Sequence, residues 1–237
     1  MLLLSKIAVA NGFQFSLTIR PIDIVGKTVP SDLQNTRFND SLMVNRFKSL
    51  IDFIFTKVDV NNLLNLQIGS EIDGYNTSNE PVTFWADYEG FLDEINRYIK
   101  SQYPNLKVGF AATLKGLNSN PILFNQLLTK VDLIGVTYYP INTDFTVESN
   151  NTAIADLDTL LSNYPTKPIY LQELGFQTGS VSNSNELKQA QFYTEFLSFW
   201  DQHTAEINSV NVVRLNDLSL QEAQNSAIPY GINDSFL

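Results

Sequence analysis

Short apolar runs alternate with amphipathic stretches along most of the chain. The runs are almost unbroken, and they are FQFSLTI (13–19), LLNLQIG (63–69), LKVGFAAT (106–113), VDLIGVTYYP (131–140), PIYLQELG (168–175) and INSVNVVRLNDL (207–218). Strands that are apolar on both faces are typical of a parallel sheet covered by helices on each side. The pattern therefore predicts an α/β fold in which strands and helices alternate.

The stretches between these runs carry apolar residues at helical spacing. The one that follows Asp40 is predicted to be a helix with Asp40 or Ser41 as its N-cap. A second helix begins near Phe84 and ends before Pro104, because proline cannot continue a helix. Further helices are predicted at residues 121–131, 156–164 and 184–204. The first residues also resemble a helix, which ends at Gly12.

Six strand-helix units are present, whereas a closed parallel barrel has eight. The chain shows neither an internal repeat nor a linker, so we predict one domain over residues 1–237. That domain would be an incomplete (β/α)8 barrel of the TIM type, without the first two strands and the last helix, whose N-cap would be Asp234 or Ser235. An open doubly wound sheet is the structural alternative, but its dinucleotide-binding fingerprint GxGxxG is absent.

Composition narrows the chemistry that this fold could carry. The chain of 237 residues has a net charge of −10, which disfavours nucleic acids and anionic membranes as partners. It has no cysteine, and its single histidine, His203, argues against a Ser-His triad or a multi-histidine metal site. The opening residues MLLLSK lack the basic region and cleavage site of a signal peptide. We therefore expect catalysis by carboxylates, with no metal, no cofactor and no obligate protein partner.

Polar residues stand where the predicted strands end. In parallel barrels the working residues lie at the C-terminal ends of the strands. The candidates at these ends are Arg20, Asp23, Glu71, Asp73, Thr113, Tyr138, Tyr139, Glu173, Asn216 and Asp217. Two glutamates on separate strand ends are the usual equipment for glycoside hydrolysis, in which one carboxyl group exchanges a proton and the other attacks the sugar or activates water.

Three segments, IGSEIDGY, VDLIGVTYYP and KPIYLQELGFQT, resemble the fourth, sixth and seventh strands of the clan A glycoside hydrolases. The arabinogalactan endo-β-1,4-galactanases and the β-mannanases have the most similar patterns. The segments NELKQAQFYTEFLSFWD and VVRLNDLS also resemble the segments that follow in such barrels, so the likeness runs from about residue 12 to the end. It implies a TIM barrel that degrades polysaccharides.

The resemblance also implies roles for single residues. Glu71 corresponds to the general acid/base at the fourth strand, and Glu173 to the nucleophile at the seventh. Tyr138 or Tyr139 corresponds to the tyrosine that hydrogen-bonds the nucleophile, and strand alternation leaves open which of the two points inward. Ser70 stands where the clan usually has an asparagine that holds the sugar 2-hydroxyl.

Three more residues are candidate substrate contacts, each with a structural alternative. Asp73 would contact substrate or serve as a hydrogen-bonding residue of its loop, and the loop role is the simpler interpretation. Arg20 would meet a ligand or form a salt bridge with Asp23. Asp217 would contact substrate or cap the final loop, and capping is the favoured interpretation for it.

Two functions remain in competition at this point. The first is a retaining glycoside hydrolase that acts on a β-linked polysaccharide or oligosaccharide through two glutamates. The alternative is a non-catalytic carbohydrate-binding barrel, or an inactive fragment of such an enzyme. A third and weaker hypothesis is a barrel enzyme of other chemistry, such as metal-assisted hydrolysis, since the sequence offers few residues that could bind a metal ion. An open barrel would also expose two strand edges, at 13–19 and 210–216, and would therefore tend to self-associate.

Overall fold

Six parallel strands form one curled sheet in the computed structural model, which describes residues 2–213, 221, 222 and 225. In chain order the strands are β1 (Phe15–Ile19), β2 (Ile22–Asp23), β3 (Gly26–Lys27), β4 (Leu63–Ile68), β5 (Val108–Thr113), β6 (Leu133–Tyr138), β7 (Ile169–Leu174) and β8 (Ile207–Val212), and the six-stranded sheet follows the order β1-β4-β5-β6-β7-β8. All pairings in this sheet are parallel, as the alternating pattern predicted. The short strands β2 and β3 form a separate antiparallel hairpin after β1.

Helices join successive strands of this sheet, which is the β/α repeat of a TIM barrel. They are α2 (Ser41–Phe55), α3 (Phe84–Gln102), α4 (Leu114–Ser119), α5 (Pro121–Leu128), α6 (Asn150–Asn163) and α7 (Glu186–Gln202), and a further helix, α1 (Leu2–Ala10), precedes β1. No helix in the described part of the chain is long and apolar enough to cross a membrane.

Capping chemistry decides where two of these helices begin. Asp40 is the N-cap of α2, as predicted, and its carboxylate accepts from the Leu42 N–H at 2.7 Å. The predicted start of α6 near residue 156 was wrong, because Ser149 caps the helix earlier by accepting from the Thr152 N–H at 3.2 Å. The first turn of α6 begins with two polar asparagines, so apolar periodicity does not reveal it.

Three short elements were not predicted from the pattern. The β2–β3 hairpin closes because Asp23 accepts from the N–H groups of Val25 and Gly26, at 3.0 and 3.2 Å. A second small hairpin follows β6, where residues 141 and 147 form an isolated antiparallel bridge. Helix α4 is capped by Thr113, whose hydroxyl accepts from the Gly116 N–H at 2.9 Å. These elements depend on local side-chain capping rather than on long apolar periods.

The core lies on both sides of the sheet. All six residues of β6 are buried, which fits a strand covered on each face. One face of β4 is polar even though it is buried. Asn65 donates to the Ser16 hydroxyl at 3.0 Å, and Gln67 donates to Asn65 at 3.2 Å. Gly135 on β6 makes room for this row, because a Cβ there would lie 2.2 Å from Gln67 Oε1.

Candidate active site

Two carboxylates converge at the C-terminal edge of the sheet. Glu173 lies on β7, and its register partner on β6 is Thr137. Glu71 follows β4, and its Oε1 accepts a hydrogen bond from the Thr137 hydroxyl at 2.7 Å. Thr137 therefore pairs with Glu173 through the backbone and binds Glu71 through its side chain, which brings both glutamates to one place.

The turn that carries Glu71 has a constrained backbone. Gly69 has a φ of +88°, and Glu71 itself adopts the left-handed region, with φ 47° and ψ 44°. For a residue with a side chain this conformation costs about 1–2 kcal/mol. The buried Tyr88 donates its hydroxyl proton to the Ile68 carbonyl at 2.9 Å and so holds the end of β4. Strained residues of this kind cluster at functional sites.

The two adjacent tyrosines at the end of β6 face opposite ways. The Tyr139 hydroxyl donates to Glu173 Oε2 at 2.8 Å. Its ring lies over Gly175, where a Cβ would come within 2.3 Å of Tyr139 Cε1. The Tyr138 hydroxyl instead donates to the Ala153 carbonyl in α6 at 3.2 Å, and the side chain is buried in the core. The inward tyrosine is therefore Tyr139, and Tyr138 lies outside the site.

Glu71 is held in an environment that disfavours its charge. Burial raises the pKa of the Glu71 carboxyl above its usual value, and the hydrogen bond from Thr137 opposes that rise. The negative charges of Glu173 and Asp73 push the pKa of Glu71 up further, while the positive charge of Arg20 lowers it. A carboxyl group with a raised pKa keeps its proton to higher pH, which suits a general acid.

Comparison with known proteins was informative only at the level of three-dimensional structure. No protein-family model and no curated protein matches the sequence. A GH53 catalytic domain from Ignisphaera aggregans superimposes with a TM-score of 0.67 and 16% identity, covering 90% of this chain and 65% of that one. An exo-β-1,4-mannosidase from Opitutaceae bacterium strain TAV5 superimposes with a TM-score of 0.66 and 16% identity, covering 88% of this chain and 40% of that one.

A β-glucuronidase from Bacteroides uniformis gives a TM-score of 0.64 and 16% identity, covering 91% of this chain. The chain spans only 25% of the length of that glucuronidase. The described fold is a partial (β/α)8 barrel. At such low sequence identity the structural similarity establishes the fold. That fold agrees with the resemblance of the sequence to barrel glycoside hydrolases.

Two other candidates beside Glu71 have mainly structural partners within the barrel. Asp73 accepts from the Thr113 N–H at 2.7 Å and from the Thr113 hydroxyl at 2.6 Å. It thereby ties the loop after β4 to the end of β5, the loop role that was the simpler interpretation. Ser70 is buried, and its Oγ lies 3.5 Å from the Gln172 side-chain nitrogen, at the limit of hydrogen bonding.

Arg20 and Asp23 do not form the predicted alternative salt bridge. Asp23 is buried and accepts from backbone N–H groups of its own hairpin. Arg20 is exposed at the end of β1, and its charge is close enough to lower the pKa of Glu71. Arg20 is therefore available to a ligand at the mouth. Asp217, with Asn216 and the caps proposed at residues 234 and 235, lies outside the described residues.

Sequence reasoning missed Thr137 and Gln172 as members of the site. Thr137 is 2% exposed, and it is a polar residue near the end of the mostly apolar segment VDLIGVTYYP. A buried hydroxyl needs a hydrogen-bond partner, so the available signal was the position of Thr137 on a strand that lies between the two strands whose ends carry the glutamates. Gln172 immediately precedes Glu173 and lies next to Ser70. Thr137 on β6 and Gln172 on β7 thus contact residues that follow β4, across the mouth of the barrel.

Proposed function

We propose that this protein is a retaining glycoside hydrolase that cleaves β-linked sugar chains with Glu71 as general acid/base and Glu173 as nucleophile. The observation that carries the proposal is the pairing of two glutamates at one barrel edge in different environments. Glu71 is bound by Thr137 and has a raised pKa, while Glu173 accepts a hydrogen bond from Tyr139. Two carboxyl groups in such different surroundings can take different roles, one as the acid and the other as the base or nucleophile.

The proposed reaction has two steps. In the first, a Glu173 oxygen attacks the anomeric carbon while the protonated Glu71 gives its proton to the departing glycosidic oxygen. In the second, Glu71 takes a proton from water as that water attacks the anomeric carbon, and the bond to Glu173 breaks. The configuration at the anomeric carbon is inverted twice and so retained. We expect the two carboxyl groups to lie about 5–5.5 Å apart, the spacing of retaining enzymes.

Tyr139 supports the nucleophile in this scheme. Its hydroxyl proton points to Glu173 Oε2, which leaves the other carboxylate oxygen to form the covalent bond. This hydrogen bond also holds the carboxylate of Glu173 in a fixed orientation at the end of β7. The ring of Tyr139 occupies the space that a side chain at position 175 would take, so Gly175 permits this orientation.

The names of the similar structures agree with a β-linked sugar as substrate. They include a β-glucuronidase, an exo-β-1,4-mannosidase, an endo-β-1,4-xylanase and a β-1,3-glucanosyltransferase in complex with laminaritriose. These enzymes act on different sugars, and the similarity therefore supports the class of bond rather than the identity of the sugar.

A non-catalytic sugar-binding barrel is the second candidate. Ser70 favours it, because it stands where the resemblance expects an asparagine for the sugar 2-hydroxyl. Contacts to that hydroxyl strengthen in the transition state, so their loss reduces turnover more than binding. The two candidates differ in a measurable way, since only the enzyme loses activity when its glutamates are neutralised.

The test measures hydrolysis of p-nitrophenyl β-glycosides and of soluble β-1,4- and β-1,3-linked polysaccharides. Glu173→Gln should reduce turnover of every substrate by about 10³-fold or more while sugar binding persists. Glu71→Gln should reduce polysaccharide hydrolysis far more than hydrolysis of the activated aryl glycosides, which need little protonation.

Glu186→Gln is the matched control, because Glu186 is exposed in the first turn of α7. It should leave activity unchanged. Binding of sugars without any hydrolysis by the native chain would favour the sugar-binding barrel instead. Full activity in Glu173→Gln would refute the assigned mechanism.

A further inference from the structure

An exposed phenylalanine stands at the tip of the hairpin that follows β6. Phe145 is 72% exposed, and its backbone has a φ of +64°. Both features are unfavourable for an aromatic residue, since the ring forgoes burial and the left-handed backbone costs about 1–2 kcal/mol. An observed backbone outlier of this kind points to a functional reason for the conformation.

The segment that presents Phe145 is a closed hairpin of residues 141–147. Asn142 donates its backbone N–H to the Thr146 carbonyl at 2.8 Å, and Phe145 donates to the Asn142 carbonyl at 3.0 Å. Asp144 accepts from the N–H and the hydroxyl of Thr146, at 3.0 and 2.7 Å. The ring is therefore held out on an ordered support rather than on a loose loop.

Neighbouring loops clamp the base of this hairpin to the mouth of the barrel. Lys115, which follows β5, donates to the Ile141 carbonyl and to the Glu148 carboxylate. Val147 donates its N–H to the Ser182 carbonyl, in the loop after β7, at 2.9 Å. The hairpin also begins two residues after Tyr139, the partner of Glu173. Its position is thus continuous with the proposed catalytic site.

We propose that Phe145 is a stacking platform for one sugar ring of a polymeric substrate, at a subsite away from the bond that is cleaved. This inference rests on the proposed function. A hairpin arm of three residues reaches about 10 Å from its base, which is further than the spacing of a catalytic pair. Phe145 therefore contacts a distal sugar and contributes to the binding of long substrates.

The surroundings of the ring favour a sugar over a protein surface. A sugar ring has an apolar C–H face that packs on an aromatic ring, and hydroxyl groups at its edge that need polar partners. Asn142, Asp144 and Thr146 provide such partners around Phe145, whereas the adjoining loop adds one large exposed apolar side chain, Val181. A stable protein interface needs about 800 Å² on each partner with a desolvated apolar centre, and two isolated side chains do not supply it.

The test compares three variants in binding and in hydrolysis, with linear β-1,4-galactan, β-1,4-mannan, β-1,4-xylan and laminarin as polymer probes. Phe145→Asn removes the ring while suiting the left-handed backbone, so the chain should fold with a melting temperature equal to or above the native one. Phe145→Trp keeps an aromatic platform. Phe53→Ala is the matched control, because Phe53 is 60% exposed on the outer helix α2.

We expect Phe145→Asn to weaken binding of the preferred polymer about three- to tenfold and to lower kcat/KM on it by the same factor. Hydrolysis of the p-nitrophenyl glycoside should stay within twofold of native. Phe145→Trp and Phe53→Ala should bind the polymer as the native chain does.

Four outcomes would overturn the platform. Unchanged polymer binding in Phe145→Asn would do so while leaving the proposed function intact. An equal loss on polymer and aryl glycoside would show that Phe145 acts on the catalytic site rather than at a distal subsite. Concentration-dependent association that Phe145→Asn abolishes, without an effect on sugar, would assign the residue to a self-interface. Failure of the native chain to bind or cleave any probe would refute the proposed function and this inference together.

Discussion

Thr137 donates its hydroxyl to the candidate acid Glu71, and it is the residue through which β6 organises the site. It touches Glu71 at 2.7 Å and pairs in register with Glu173. Its hydrogen bond lowers the pKa of Glu71, against burial and the charge of Glu173, which both raise it. The pKa of Glu71 therefore depends on opposing effects, and mutation of Thr137 removes one of those that lower it.

We predict that Thr137→Val raises the pKa of Glu71 further, because the charged carboxylate loses its donor. Above that pKa the variant should be less stable than native by about 1–2 kcal/mol. The deficit should shrink as the pH falls through the pKa of Glu71, since a protonated carboxyl group depends less on the donor. Thermal melts across pH and NMR titration of Glu71 measure both effects.

Thr137→Ser is the control, since it keeps the hydroxyl. If the protein is active, the alkaline limb of its kcat/KM profile should move to higher pH in Thr137→Val and stay in place in Thr137→Ser. A pKa of Glu71 that is unchanged in Thr137→Val would contradict the assigned hydrogen bond.

At the scale of elements, the end of β4 and the helix α3 form one unit that aims Glu71. Tyr88 on α3 reaches the Ile68 carbonyl, and Gly69 leaves the space that the tyrosine hydroxyl needs. A Cβ at Gly69 would lie 2.6 Å from that hydroxyl and 2.5 Å from Ile72 Cγ2. Helix packing thus determines the direction of the proposed acid.

We predict that Gly69→Ala destabilises the fold by about 2–4 kcal/mol, from the left-handed backbone together with the collision against Tyr88 and Ile72. Gly12→Ala separates the two causes. Gly12 has a φ of +74°, but no atom lies within 4 Å of the Cβ position, so its cost should be only about 1 kcal/mol. Denaturant unfolding measures both, and equal effects at the two glycines would contradict the packing argument.

At the scale of the whole molecule, the curled sheet has β1 and β8 as its edge strands. Within the described residues neither strand is paired on its outer side. Unpaired backbone groups at a sheet edge are templates for other strands, and such edges promote association unless they are charged, short or covered. The edge residue Asn208 is exposed on β8 and offers a place to add a charge.

We predict that the isolated chain self-associates with increasing concentration, and that Asn208→Lys reduces this association by blocking edge pairing. Ser162→Lys adds the same charge at an exposed position of α6, which connects the interior strands β6 and β7, and should reduce it less. Sedimentation velocity over a concentration series distinguishes the variants. A monodisperse and thermally robust native monomer would contradict the prediction.

The alternation of apolar runs and amphipathic stretches was sufficient to predict the six parallel strands and most of the helices, because strands buried on both faces are apolar throughout. The choice of a barrel over an open doubly wound sheet came from the absent GxGxxG fingerprint and from the resemblance of the strand ends to barrel glycoside hydrolases. The alternation also placed Glu71 and Glu173 at strand ends, since an apolar run that stops at an acid marks the edge of a sheet. Their catalytic roles remain predictions.

Only the tertiary structure decided which side chains meet. The choice of Tyr139 over Tyr138 depends on strand register, which alternation along one strand does not specify. Other contacts join residues that are distant along the chain or lie on different loops. Thr137 donates to Glu71, Thr113 donates to Asp73, and the loop after β7 binds the hairpin that carries Phe145. Such contacts arise from how strands pair and loops dock, and therefore become visible only once the barrel has brought its strand ends together.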